Sequence, residues 1–180
     1  MKLRKINAGL SLLTTALLLF HAGYLAVQML MGNRLEGIAK ILSIALMWLM
    51  MIHAVMSIII MARAHRGGEK GKGKPYAKLN RETIVQRVSS MVLLVLVFVH
   101  VAGAWSIFRP KLLHAIITPL FFAAAMAHAA LSTGKALITL GWGNTEVIKT
   151  VDVMVRSLCQ AIGVASLIGF YSFFIAGGSL

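Results

Sequence analysis

Long apolar runs, each broken by very few polar residues, set the pattern of this chain. A bilayer core about 30 Å thick needs roughly 20 apolar helical residues. Five runs reach that length: 6–31, 38–62, 83–107, 111–133 and 151–176. None alternates apolar and polar positions with period two, and inside lipid such a run satisfies its backbone only as a helix. The pattern predicts an all-α integral membrane protein, a bundle of five transmembrane helices forming a single domain over 1–180. The connections are a short turn (32–37), a long basic loop (63–82), a short turn at 108–110 and a mixed loop (134–150). The first run follows MKLRK, as a signal peptide would. It is long enough to span and lacks a small-residue cleavage site, so it reads as the first helix.

Composition agrees with the pattern. The chain is 59% hydrophobic and 13% charged, with a mean hydropathy of +0.85. One cysteine, Cys159, leaves no internal disulfide and no cysteine cluster. A formal charge of +13 invites a nucleic-acid reading. The basic residues instead sit in connections between apolar runs, where membrane topology accounts for them, so no nucleic-acid partner is expected.

Those residues orient the bundle. Lys2, Arg4 and Lys5 precede the first run; Arg63, Arg66, Lys70, Lys72, Lys74, Lys78, Arg81 and Arg87 crowd the second-to-third connection; Lys135, Lys149 and Arg156 follow the fourth run. Arg34, Lys40, Arg109 and Lys111 fall on the other side. The positive-inside rule then places the N-terminus in the cytoplasm and the C-terminus outside. In the fifth run Ala161, Ala165 and Gly169 recur every four residues, a spacing that lets helices approach closely.

Each of the first four runs carries one central histidine: His21, His53, His100 and His128. An ionisable residue in hydrocarbon points to function by default. For any one of them alone, a helix-to-helix hydrogen bond is the rival reading. Depth argues for pairs. At 1.5 Å per residue, His21 and His100 each lie about 20 Å from the cytoplasmic ends of their helices, whereas His53 and His128 lie about 15 and about 10 Å from theirs. Two imidazoles facing each other across a bundle core can hold a six-coordinate haem iron, so the four histidines are expected to bind two haem b groups. Small neighbours suit a flat macrocycle: His128 sits in AAAMAHAAL, and Ala22, Gly23, Ala54, Ala102 and Gly103 adjoin the others. Thr14, His21 and Gln28 form a polar stripe of period seven, and Ser57 and Ser132 lie one turn beyond their histidines, where they could orient a ligand imidazole. Arg87, with Lys135 and Arg156, is expected near the propionates of the inner haem. His65, in the basic loop, and His114, at the rim of the fourth run, read as non-ligands.

Five helices with histidines in the first four resemble the membrane anchor of succinate dehydrogenases and fumarate reductases, of the single-chain, five-helix, di-haem cytochrome b type. The stretch HAALSTGKALITLGWG (128–143) is similar to that family's run of His, basic residue and Trp-Gly, and LNRETIVQRVSS (79–90) to its polar lead-in to the third helix. The resemblance implies the pairs His21/His100 and His53/His128. It also implies a cytoplasmic flavoprotein subunit and an iron–sulfur subunit as partners, menaquinone or another quinone as substrate, and the bacterial cytoplasmic (inner) membrane as location. One departure stands out: no carboxylate lies inside the fourth run, where some members carry one.

Electron transfer between membrane quinone and a cytoplasmic enzyme is therefore the expected function, with the dicarboxylate chemistry on a partner subunit. Quinone turnover moves protons and needs polar groups near water. Glu36, Trp105, Arg109 and His114 gather at the outer turns and form the expected quinone site; Gln86 and Arg87 form the competing inner one. The rival functions are a cytochrome b subunit of another respiratory oxidoreductase and a haem-free transporter or assembly factor.

Overall fold

In the computed structural model the chain is all-helical, with α1 (Lys2–Leu30), α2 (Ile38–Gly68), α3 (Arg81–Ala104), α4 (Lys111–Leu140) and α5 (Thr145–Ile175). The structure describes residues 2–33, 37–68, 81–104 and 111–175. Among the described residues four helices hold a stretch long and apolar enough to cross a membrane: Lys2–Leu30, Ile38–Arg63, Ile116–Leu140 and Thr145–Phe173. The apolar part of α3 among the described residues, Ile84–His100, is shorter.

The helices outrun the runs read from the sequence (38–62, 111–133 and 151–176) at the end of the bundle that carries the N-terminus of α1. There α2 continues to Gly68, α4 to Leu140, and α5 starts at Thr145. The loop expected over 134–150 shrinks to a tight turn, for local reasons. Gly141 takes φ 75°, its N–H donates to the Ile138 carbonyl and that of Trp142 to the Leu137 carbonyl. This is a Schellman closure, which needs a residue at ease in the left-handed region. Asn144 then caps α5, its Oδ1 accepting from the Val147 N–H at 2.9 Å. Hydropathy marks where lipid ends, whereas caps mark where a helix ends.

Packing is uneven. α1 and α4 touch each other and both touch α5; α2 docks on α1, and α3 docks on α4. Among the described residues α2 and α3 share no substantial packing. Only 6% of the apolar stretch of α2 is buried, against 44% for α4. The core is formed by Leu18, Leu19 and Ala22 of α1, Leu93 and Val97 of α3, Phe121, Phe122, Ala125 and Met126 of α4, and Phe170 of α5. Large apolar side chains such as Ile41, Ile52, Val95 and Ile168 point outward. That much exposed apolar surface suits a lipid-facing wall.

α5 packs through a seam other than the one its sequence implies. Ala161 is exposed and Ala165 half-buried, whereas Cys159, Ser166, Gly169 and Phe170 are buried. The seam follows α5's rotation against two neighbours, α1 and α4, at once. Ser166 Oγ donates to the Ala22 carbonyl at 3.4 Å. A Cβ on Gly169 would stand 3.0 Å from the Ala26 carbonyl oxygen and 3.4 Å from Met29 Cβ. Gly169→Leu should therefore lower stability by about 1–3 kcal/mol through overpacking, measured as thermal unfolding in detergent. Ala161→Leu, on an exposed position, should leave it nearly unchanged. Equal sensitivity of the two sites would contradict this packing of α5.

Candidate functional site

A cavity of about 1000 Å³ opens where α2 fails to meet α3. That is the upper end of the range for cofactor pockets. α1 contributes Asn7, Ser11, Thr14 and Leu18 to its wall; α2 contributes His53 and Ser57; α3 contributes Gln86, Leu93 and Val97; α4 contributes Ala125, His128 and Ala129. Apolar side chains form most of the wall. The polar groups cluster toward the basic end, where Arg4, Arg87 and Lys135 also line it.

His53 and His128 face each other there, their ring centroids 6.4 Å apart and their planes at 60°. The wall beside them is small, with Ala54, Ala125 and Ala129. His128 Nδ1 lies 3.3 Å from the Gln86 carbonyl oxygen of α3. That carbonyl also accepts from Ser89 Oγ at 3.0 Å. The Gln86 side chain meets Lys135, whose Nζ donates to Oε1 at 2.5 Å. His53 has no such support: its Nδ1 is buried without a hydrogen-bond partner, although the Asn7 backbone stands close to the ring.

The other two histidines lie farther along the bundle. His21 is buried, and its Nδ1 has no hydrogen-bond partner. His100 lies flat on Phe121, centroids 4.6 Å apart and planes within 6°. Helix register relates them: Phe121 of α4 lies five residues outward of Met126, which meets Gly163 of α5, and Ser166 meets the backbone of Ala22, next to His21. These steps put His21 and His100 within about one helical turn of the same depth. Phe121, absent from the sequence reading, occupies the face of His100. Among the described residues the ring-to-ring pair of histidines is His53 with His128.

Several expected supporting roles go elsewhere. Ser57 accepts from Asn7 Nδ2 at 3.2 Å and so ties α2 to α1. Ser132 back-bonds to the Ala129 carbonyl at 3.2 Å, as hydroxyls within helices commonly do. Gln28 turns to the end of α1, accepting from Asn33 Nδ2. Arg156 lies beside Asp152, with Nε–Oδ2 at 2.8 Å, and it does not line the cavity; Arg4 does. Glu36, Trp105 and Arg109 lie outside the described residues, as do the side chains of His114 and His65. Asn7 escaped the sequence reading although it extends the stripe of Thr14, His21 and Gln28 by one more step of seven.

The residues around this cavity fit a haem. Two imidazoles bound to one metal atom through bonds of about 2 Å put their centroids about 6 Å apart, the separation seen here. A ligand histidine commonly gives its other ring N–H to a backbone carbonyl, as His128 does toward Gln86. Cations at the cavity's polar end suit two carboxylates. Among the described residues no cluster of three or more His, Cys, Asp or Glu suggests a bare metal site. No protein-family model matches the chain, and neither curated proteins nor solved structures supply a match. Fold and site therefore define the chain as a helical protein of membrane-spanning character with a paired-histidine cavity between its helices.

Proposed function

We propose that this chain is a five-helix transmembrane cytochrome b that anchors a quinone-linked oxidoreductase of the succinate dehydrogenase or fumarate reductase type. The supporting observation is the His53–His128 pair, 6.4 Å apart across a cavity of about 1000 Å³. Haem bound there supplies a reversible one-electron carrier. The chain's own residues hold and tune it. His53 and His128 give one nitrogen each to the metal, while Arg4, Arg87 and Lys135 stand at the end of the cavity where propionates would lie. Leu93, Val97 and Ala125 keep water from the ring faces.

A second haem between His21 and His100 belongs to the same reading, carried by their matched depth. It requires Phe121 to leave the face of His100. The quinone site at Glu36, Trp105, Arg109 and His114 belongs at that far end. The positive-inside rule puts the basic end in the cytoplasm. A flavoprotein and an iron–sulfur subunit would dock there, in a bacterial inner membrane, against Lys and Arg side chains.

Purified chain should show a reduced b-type spectrum and two haems per polypeptide by pyridine haemochrome assay. One haem would retire the outer pair and keep the inner; none in folded protein would retire the whole reading. Proteins that copurify identify the partner enzyme.

Cation placement gives a second test. Arg87 lines the cavity, whereas Arg156 lies beside Asp152. Removing a positive charge near a haem disfavours its reduced form. Arg87→Leu should thus lower one midpoint potential by roughly tens of millivolts, and Arg156→Leu should leave both unchanged in a redox titration. A larger shift from Arg156→Leu would place the propionates elsewhere.

A further inference from the structure

We propose that the two histidines serve unequally: His128 is the fixed ligand, and His53 is an exchangeable one, carried on α2 as the movable wall of the cavity. This rests on the haem reading above and goes beyond it by assigning the ligand that opens the site.

The first argument is tautomeric. Neutral imidazole has one N–H donor and one acceptor nitrogen. The Gln86 carbonyl, 3.3 Å from His128 Nδ1, selects the tautomer with the proton on Nδ1 and leaves Nε2 with its lone pair for the metal. That carbonyl is itself held. Ser89 Oγ bonds to it at 3.0 Å, and a hydroxyl bonded back to its own helix tilts the carbonyl outward. The Gln86 side chain meanwhile grips Lys135, seven residues from His128 on the same helix. His128 is thus oriented before any ligand arrives. His53 Nδ1 is buried without a hydrogen-bond partner, and the backbone beside its ring is that of Asn7 on α1, with no tie of the Gln86–Lys135 kind behind it among the described residues.

The second argument is mechanical. α3 and α4 pack closely together, whereas α2 rests on α1 and shares no substantial packing with α3. Near His53 the described polar ties of α2 to the bundle both run to Asn7 of α1, whose side chain bonds Ser57 and whose backbone stands beside the His53 ring. Local opening begins where buried contacts are few, and here that place is α2. An outward swing of α2 would carry the His53 nitrogen, with its electron pair, away from a metal held by His128. No proton or electron has to move, and the metal gains an open position on the α2 side. Loading would run in reverse, with capture by His128 followed by closure through His53.

The test uses the full chain in detergent with its native haem. His53→Gly should keep wild-type haem stoichiometry, show a high-spin spectrum, and return to low spin when imidazole is added. His128→Gly should lose one haem per chain, with retention at that site at least tenfold lower. Equal loss in both variants, or the reverse order, overturns the asymmetry. A wild type that binds no haem overturns the underlying reading instead, so the two failures are distinguishable. Should His128→Gly fail to fold, haem transfer from otherwise wild-type protein to apomyoglobin decides. Gln86→Leu, which cuts the tie to Lys135, should speed transfer more than Ser57→Ala, which cuts the tie of α2 to Asn7. Equal or inverted acceleration would refute the fixed role of His128.

Discussion

A neutral imidazole among apolar helices must find a partner for a donor and for an acceptor, and this constraint organises the bundle. An unmatched polar atom in such surroundings costs about 1–3 kcal/mol, so a histidine there needs either a hydrogen bond or a metal. His128 satisfies one nitrogen through the Gln86 carbonyl. That contact fixes how α3 lies on α4, with Gln86 beside His128 and Lys135 at one end and His100 beside Phe121 at the other. In each helix the contact positions are multiples of seven apart: 86 and 100 on α3, and 121, 128 and 135 on α4. A seam of period seven is the ordinary result of antiparallel helices packed at a shallow angle. Here it doubles as the scaffold of the site.

The cavity follows from what α2 lacks. Its sequence is apolar on every side, so it has no stripe that commits it to one neighbour. It settles on α1, fastened by Asn7 and Ser57, and leaves its His53 face opposite α3 and α4 across open space. In a packed core such a void would be destabilising, since each lost contact removes dispersion energy. This bundle keeps the space and points two imidazoles into it. The far half is different. There Leu19, Phe121, Phe122 and Phe170 close the core, and the stacked ring of Phe121 takes the place beside His100.

Much of this was legible in the chain itself. Run length and hydropathy gave helix number and order, and the depth count grouped His53 with His128. The stack of His100 on Phe121 was not legible, because a phenylalanine in an apolar run looks the same whether it fills a core or faces lipid. The partner of His128 was missed for a related reason. It is a backbone carbonyl, present at every residue, and only three-dimensional register selects Gln86. Serine positions misled in the opposite direction. Ser132 has the right spacing to serve His128, but its own helix offers a nearer acceptor in Ala129. The small-residue stripe of α5 failed because spacing of four on one helix says nothing about how that helix is rotated against two neighbours.

Charge near the basic end shows how one register sorts similar residues into different roles. Arg87, Lys135 and Arg156 read alike in sequence, each a cation near one end of an apolar run. Arg156 is one turn from Asp152, and the two form an i,i+4 pair at 2.8 Å. Asp152 also lies against Gly134, where a Cβ would meet its Oδ1 at 2.7 Å, so a side chain at 134 would displace the Asp152 carboxylate. The next residue, Lys135, turns toward α3, where Gln86 receives it. Arg4 and Arg87 line the cavity beside Lys135. Three like charges around one apolar cavity repel one another, and their repulsion is relieved when an anionic group enters. The polar end of the cavity therefore favours negative charge, while the rest of its wall is apolar.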